Sequence, residues 1–498
     1  MHATDRQILR IALPSVVSNI TVPLLGLVDV AITGHLGSAA YIAAIAVGSM
    51  TFNVIYWIFA FLRMGTSGLT AQALGAQRPA EIVRLLVRAL AVALVIAAVL
   101  ILLQWPLCWL SLFIMQPDPR VATLATIYFN ICIWGAPPVL ALYALNGWLI
   151  GMQDTHTPMT VAIAQNVVNI AASLFFVLVV GMRVEGVATG TLVAQWAALA
   201  LTLVLTRRKH FRSVHRPQAS RGSTPSLADA VDRLPLRRFL SSQLRPLTDY
   251  GRFFAVNRDL FLRTLCIVAV MLFFTAAGSW QGDVTLAVNT LLMQLYLLVS
   301  YVMDGLANAG EALCGRHYGA GHTRALRHTV ARLFRMGALV AAAFTLLYIL
   351  FARPFLALLS DEPAVIAAAR PYLVWAFLVP FTGFAAFVWD GIFIGLTAGR
   401  RMMQATMVAA LVFFTLYLLL CCPHAILQPL TSELLQPALH FLFPHAAEHH
   451  LPLSASAFHG LGNHGLWIAF LSFMFTRGAV QTYLYATHRI IITPPAQQ

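Results

Sequence analysis

Charge is what this sequence has least of. Asp, Glu, Lys and Arg make up only 10% of its 498 residues, where a soluble globular chain carries about 25%. A water-facing surface cannot be built from so few ions, so an ordinary soluble domain is excluded. Acids are the scarcer sign, 18 against 32 basic residues. Cysteine is sparse as well: Cys108, Cys132, Cys266, Cys314, Cys421 and Cys422 all fall in or beside apolar segments, and no CxxC pair exists. That excludes a disulfide scaffold or thiolate metal knot and leaves buried free thiols. A cleavable leader is not evident either. MHATDRQILR runs into an apolar stretch too long for a signal core and without a small-residue cleavage site.

What the sequence has instead is hydrophobic length. Apolar residues are 59% of the chain. Twelve runs stand out, at about 8–34, 43–66, 82–105, 122–150, 158–182, 186–206, 257–279, 285–309, 330–352, 371–397, 403–423 and 462–486. Each is long enough to cross about 30 Å of hydrocarbon as a helix. The expected fold is an all-α polytopic membrane protein with 12 transmembrane helices in two pseudo-symmetric six-helix bundles. The net charge of +14 suggests nucleic acid at first sight. Its placement argues otherwise: Arg6, Arg10, Arg78, Arg84, Arg316, Arg324, Arg327, Arg400, Arg401 and Arg489 fall in alternate loops, while the other side holds only Arg120, Arg183, Arg353 and Arg370. This is the positive-inside asymmetry of a bacterial cytoplasmic-membrane protein with both termini in the cytoplasm. The partners expected are therefore membrane lipids and small molecules, not nucleic acid, with the chain acting as a monomer.

The chain also repeats itself. Gly75 and Gly319, Arg88 and Arg332, Tyr128 and Tyr372, Gly147 and Gly391, and Gly151 and Gly395 are each 244 residues apart. NGWLIG (Asn146–Gly151) aligns with DGIFIG (Asp390–Gly395) without a gap from Gly75 onward. Six helices per half return the chain to its starting side. The halves then share one orientation about an axis along the membrane normal, as in secondary transporters that rock around a midplane site. The expected units are residues 1–206, a basic cytoplasmic linker at 207–256, and residues 257–498. The linker segment LPLRRFLSSQLRPL (Leu234–Leu247) reads as a basic amphipathic helix or as solvated linker. The last unit carries a long outer loop at 424–461, in which His445 and His449 have the i,i+4 spacing of a helical metal pair; no further ligand is fixed by spacing.

Asp29 lies in the middle of the first apolar run, in PLLGLVDVAITGHLG. A carboxylate at that depth costs roughly 2.5–3.5 kcal/mol on insertion scales and is kept mostly where it works. It is a candidate for holding a proton, a metal ion or a cationic substrate. Ser18, Val22, Gly26, Asp29 and Thr33 share one helical stripe, and Asn166, Asn169 and Ser173 share another. Pro14 and Pro23 each remove one backbone hydrogen bond and let the first helix bend. The second half has its own acids, Asp304, Glu311 and Asp390, with Arg63 and Arg263 as internal partners.

Taken together, IALPSVVSNITVPLLGLVDVAITGHLG, LTAQALGAQ, NRDLFLRTL, LAVNTLLM, YVMDGLANAGEAL and DGIFIG resemble the multidrug and toxic compound extrusion (MATE) family, in its DinF-like branch. The resemblance implies two six-helix bundles facing each other in a V. It also implies proton- or sodium-coupled export of amphiphilic, often cationic, compounds without a cofactor. The pocket positions it implies are Asp29, Tyr128, Asn146, Asn169 and Thr191, with Asn166 beside them. Many relatives carry a second carboxylate where this chain has Ser173. One carboxylate shared by proton and substrate then gives antiport, and sodium, which wants several oxygen ligands, is less favoured. The other candidates for coupling are Asp390, Glu311 and Asp304. A lipid flippase would need a basic cavity, which only Arg63, Arg263 and Arg477 are deep enough to supply. A membrane enzyme would rest on the outer histidines with Glu433 or Glu448.

Overall fold

The computed structural model describes residues 3–34, 39–211, 248–359, 362–421 and 461–487. The side chain of Asp29, most of the linker with its Leu234–Leu247 segment, and the outer loop with His445 and His449 lie outside the described residues.

Among the described residues the chain is all α, with no strand. The first half comprises α1 (Ala3–Gly34), α2 (Ala39–Ile58), α3 (Phe61–Gly75), α4 (Pro79–Leu102), α5 (Gln104–Met115), α6 (Pro119–Cys132), α7 (Ala136–Gly151), α8 (His156–Leu174) and α9 (Val184–Thr206). The second comprises α10 (Thr248–Ser279), α11 (Asp283–Gly319), α12 (Thr323–Leu359), α13 (Pro363–Ala369), α14 (Leu373–Gly395), α15 (Gly399–Cys421) and α16 (Gly462–Ala486). Ten helical segments among the described residues are long and apolar enough to cross a membrane. α1 and α16, of 32 and 25 residues, are long enough as well, at about 1.5 Å per residue. The linker is shorter than its composition suggests. α9 continues as a π-helical turn through Arg207–Phe211, and α10 begins at Thr248. Arginine and lysine are good helix formers and solvate easily, so polarity alone does not end a helix.

The repeat is written into the backbone. Gln77 has φ 55° and Gly321 φ 72°; Gln153 has φ 63° and Thr397 φ 51°. Each is the left-handed residue that ends a helix, and the members of each pair are 244 residues apart. The closing bonds match too: the Arg78 amide donates to the Ala73 carbonyl and His322 to His317, while Asp154 donates to Leu149 and Ala398 to Phe393. These are Schellman caps, which spend carbonyls a helix end would otherwise leave unpaired. The apolar core follows the same division. One cluster is built from residues between Ile32 and Ala188. The other is built almost wholly from residues after Leu260, with Ile8, Ile11, Ala12 and Ile150 reaching into it.

The halves meet where α3 crosses α11, and α1 also packs against α11. A Cβ on Gly75 would overlap the Arg316 carbonyl, and one on Gly319 would overlap the Gln72 carbonyl. Only glycine permits such an approach of two backbones. Hydrogen bonds tie the crossing symmetrically. Gln72 Nε2 donates to the Gly395 carbonyl at 2.9 Å and to Thr397 Oγ1 at 3.1 Å. Arg316 Nη1 donates to Gln153 Oε1 at 3.1 Å. Residues 72 and 316, and 153 and 397, are the repeat's equivalent positions, so one contact is made twice.

Candidate functional site

Above that crossing lies a cavity of about 140 Å³ between the halves. α3 supplies Arg63, α10 Arg263, α11 Asp304 and Glu311, α14 Asp390, and α16 Arg477. Three guanidinium groups and three carboxylates thus share one small space in the protein interior. Asp390 is the hub. Its Oδ2 accepts from both Arg263 and Arg477, and its Oδ1 accepts from Gln481 Nε2 at 3.0 Å. Arg263, Arg477 and Asp390 are all under a tenth exposed. Buried ions survive only when paired and hydrogen-bonded, and this carboxylate is fully engaged.

Arg63 makes the link across the seam. Its Nη1 donates to Asn308 Oδ1 at 3.0 Å and lies 3.5 Å from Glu311 Oε2. Asp304, Asn308 and Glu311 occupy one stripe of α11, at i, i+4 and i+7. Asp304 lines the cavity and makes no hydrogen bond or ion pair among the described residues. The acids expected in this half therefore play three different parts: Asp390 is locked, Glu311 is linked to the opposite half, and Asp304 is unspent.

The polar positions of the first half are more dispersed. Asn166 Nδ2 donates to the Thr21 carbonyl at 2.7 Å, tying α8 to α1. Asn169 Nδ2 donates to Thr191 Oγ1 at 3.0 Å, tying α8 to α9. Asn169 Oδ1 and Asn146 Oδ1 are buried without a partner among the described residues. Tyr128 is buried on α6 against Gly48 of α2. Ser173 is placed differently from its stripe-mates. It is fully buried in the α8–α9 seam, where a Cβ on Gly190 would sit 2.7 Å from its backbone nitrogen. Gly190 is what lets the two helices approach so closely at Ser173. α1 runs through buried Pro14 without a break in the helix, and Asn19 Nδ2 donates to the Tyr301 carbonyl at 3.1 Å. The helix that carries Asp29 therefore touches both α8 and α11.

Sequence reasoning missed one ionic cluster. Asp154, in the turn after α7, accepts from Lys209 Nζ at 2.8 Å and Thr157 Oγ1 at 2.8 Å, and lies 3.1 Å from His210 Nε2. Burial pushes the Asp154 carboxyl up, but the hydrogen bonds from His210, Lys209 and Thr157 outweigh it and hold the group well below the usual carboxylate range. Trp148 lies edge-on to His210 and stacks on Phe211. The start of the linker is thereby clamped onto α7 and α8. Lys209 is the only lysine in the chain, a signal that its position is particular. Among the described residues, no group of three or more His, Cys, Asp or Glu is arranged to hold a metal ion.

Comparison with known proteins bears on this geometry. The MatE family profile matches residues 14–175 and 260–436. DNA damage-inducible protein F of Escherichia coli (strain K12) is 31% identical over 98% of this chain and 93% of its own length. Multidrug resistance protein MdtK of Edwardsiella ictaluri (strain 93-146) is 22% identical over 86% of this chain and 88% of its own. Among solved structures, the outward-facing conformation of a multidrug resistance MATE family transporter of the MOP superfamily superposes with a TM-score of 0.75 at 19% identity. That match covers 98% of this chain and 96% of the other.

Proposed function

The chain belongs to the MatE family, whose members are multi-pass membrane transporters and not enzymes, and we propose that it exports amphiphilic, cationic drugs or metabolites from the cytoplasm in exchange for protons. The observation that carries this reading is the pseudo-twofold seam. Two halves that touch through equivalent small-residue contacts at one end, around a charged cavity, have the form that alternating access requires. The closed end carries Arg78, Arg84, Arg316 and Arg324, in and beside the helix ends there. By the positive-inside rule that end faces the cytoplasm, so this state is closed inward. The protein sits in the cytoplasmic membrane with both termini inside. The halves that rock are residues 1–206 and 257–498.

Asp29 is the proton-binding group in this proposal. It holds a cationic substrate when charged and lets it go when a proton arrives from outside. α1 carries it and contacts both α8 and α11, so a change in charge at Asp29 acts on a helix that touches the seam. Pro14 gives that helix a place to bend. Protons are favoured over sodium because a sodium site wants several oxygen ligands, this chain has Ser173 where many relatives carry a second carboxylate, and Asp390 is already engaged by Arg263, Arg477 and Gln481.

The test is flux in liposomes holding the purified protein, with a cationic dye driven by a pH step and then by a sodium step. Flux that follows pH and disappears in Asp29→Asn supports the proposal. Flux that follows sodium alone rejects it. Loss of coupling in Glu311→Gln, Asp390→Asn or Asp304→Asn with Asp29→Asn tolerated moves the proton to the second half.

A further inference from the structure

We propose that the cavity between the halves is a binding site for an anionic headgroup, a carboxylate, sulfonate or phosphate, carried by an amphiphile. The site is distinct from the cation-binding role of Asp29 and does not depend on it.

The argument starts from charge. Arg263 and Arg477 share one carboxylate, Asp390, through the same oxygen. Arg63 has Glu311 to itself. The Arg263–Asp390–Arg477 group thus carries one excess positive charge, buried in the protein. Among the described residues, its one remaining counter-charge on the cavity wall is Asp304, which pairs directly with none of them.

The guanidinium donors are also underused. Nε of Arg263 and Nε of Arg477 have no hydrogen-bond partner among the described residues. The Nη1 groups reach only thioether sulfurs, Met64 at 3.8 Å and Met474 at 3.6 Å. Sulfur is a weak acceptor, and a guanidinium has five donors matched to planar or tetrahedral oxyanions. Buried donors left unspent are costly unless something accepts them. The residue pair is 5% and 3% exposed.

Size sets the rest. A cavity of about 140 Å³ has room for roughly a handful of waters or one small headgroup, but not for a whole amphiphile. The tail must lie outside it. The groups that set the charge around an incoming oxyanion are Arg63 on α3, Arg263 on α10, Asp304 and Glu311 on α11, Asp390 on α14 and Arg477 on α16. Asp304 is the one not held in a pair. An anion entering beside it is balanced when Asp304 takes up one proton, so binding consumes one proton from the medium and leaves the cavity neutral.

The test uses three fluorescent amphiphiles with one tail: a dansyl-labelled undecanoate, its methyl ester and the matching trimethylammonium compound. Each is titrated onto purified full-length protein in detergent, with a pH indicator in weak buffer. The expected result is at least tenfold tighter binding of the carboxylate than of the ester, with about one proton taken up per carboxylate bound. Asp304→Asn should abolish the uptake and tighten carboxylate binding. Arg477→Gln should erase the preference. That change leaves Arg263 and Asp390 as a neutral pair, so the double variant Arg477→Gln/Asp390→Asn, which restores one excess positive charge on Arg263, is measured beside it and should recover part of the preference, as should Arg477→Lys. Equal binding of carboxylate and ester by the unaltered protein overturns the proposal. So does a preference that survives undiminished in folded Arg477→Gln. Loss of proton-driven cation flux in Asp29→Asn would leave these results unchanged.

Discussion

Replacing Gly75 with valine should open the inner end of the protein, and the size of the effect can be worked out from the seam. A Cβ at 75 overlaps the Arg316 carbonyl oxygen. Backbone cannot rotate out of the way as a side-chain tip can. To restore an ordinary contact, α3 and α11 must part by about 1 Å. The bonds from Gln72 to Gly395 and Thr397, at 2.9 and 3.1 Å, and from Arg316 to Gln153, at 3.1 Å, then stretch to about 4 Å, past useful length. Three bonds at about 1 kcal/mol each give about 3 kcal/mol against the closed state, or about a hundredfold shift toward the inward-open form. The assay is alkylation of a cysteine placed at Ala76 by a membrane-impermeant maleimide added from the inner side. Gly319→Val should give the same acceleration, because Gly319 meets the Gln72 carbonyl in the equivalent contact. Alkylation rates within twofold of the parent protein in both variants would refute the seam as the inner closure.

Ser173→Asp should not restore the carboxylate that many relatives carry. The α8–α9 seam around Gly190 has no room, so the variant should lose about 3–5 kcal/mol of stability, as for an unpaired buried charge; a melt in detergent decides it, and an unchanged melting temperature would place the side chain in open space. Asp390→Asn should destabilise the second half by a similar amount, since Arg263 and Arg477 lose their shared partner. The same change with Arg477→Gln should recover part of the loss, and no recovery would mean the carboxylate does more than balance charge. Asp154 makes a pH-dependent contribution of known sign. Its folded pKa is held below the ordinary carboxylate range by its hydrogen bonds, so its stabilisation is full above that range and is lost as pH falls through the folded value. In a His210→Ala background, the melting gap between the parent and Asp154→Asn should be constant from about pH 5 to 8 and shrink below about pH 4; a gap that widens on acidification would contradict the assignment.

Much of the fold was legible because apolar length and the 244-residue offset are both carried by residue type. Gly75, Gly147 and their equivalents appear in the sequence as a repeat and in the structure as the places where backbones touch. The same offset, applied to Gln72 and Arg316, would have located the inner seam. The pairing of charges was less legible. Arg63, Arg263 and Arg477 could be named as deep cations, but α3, α10 and α16 come together only in three dimensions. Nothing in the spacing says that two arginines share Asp390 while Asp304 goes unpaired. Ser173 shows the limit of helical periodicity. It lies on the stripe of Asn166 and Asn169, yet the close approach of Gly190 puts it in a packed seam. The Asp154 clamp was hidden for a simpler reason: Lys209 and His210 sit in a basic stretch that reads as solvated linker.

The claim that protonation of Asp29 drives the rocking of the halves is tested most directly by a distance. Spin labels at Arg78 and His322, exposed equivalents at the inner ends of the two halves, report whether the seam is closed. In the parent protein, acidification from pH 8 to 5.5 should move population from the short to the long inner distance, and Asp29→Asn should show the acid distribution at both values. Distributions that do not change with pH in the parent, or that still respond fully in Asp29→Asn, would contradict the account.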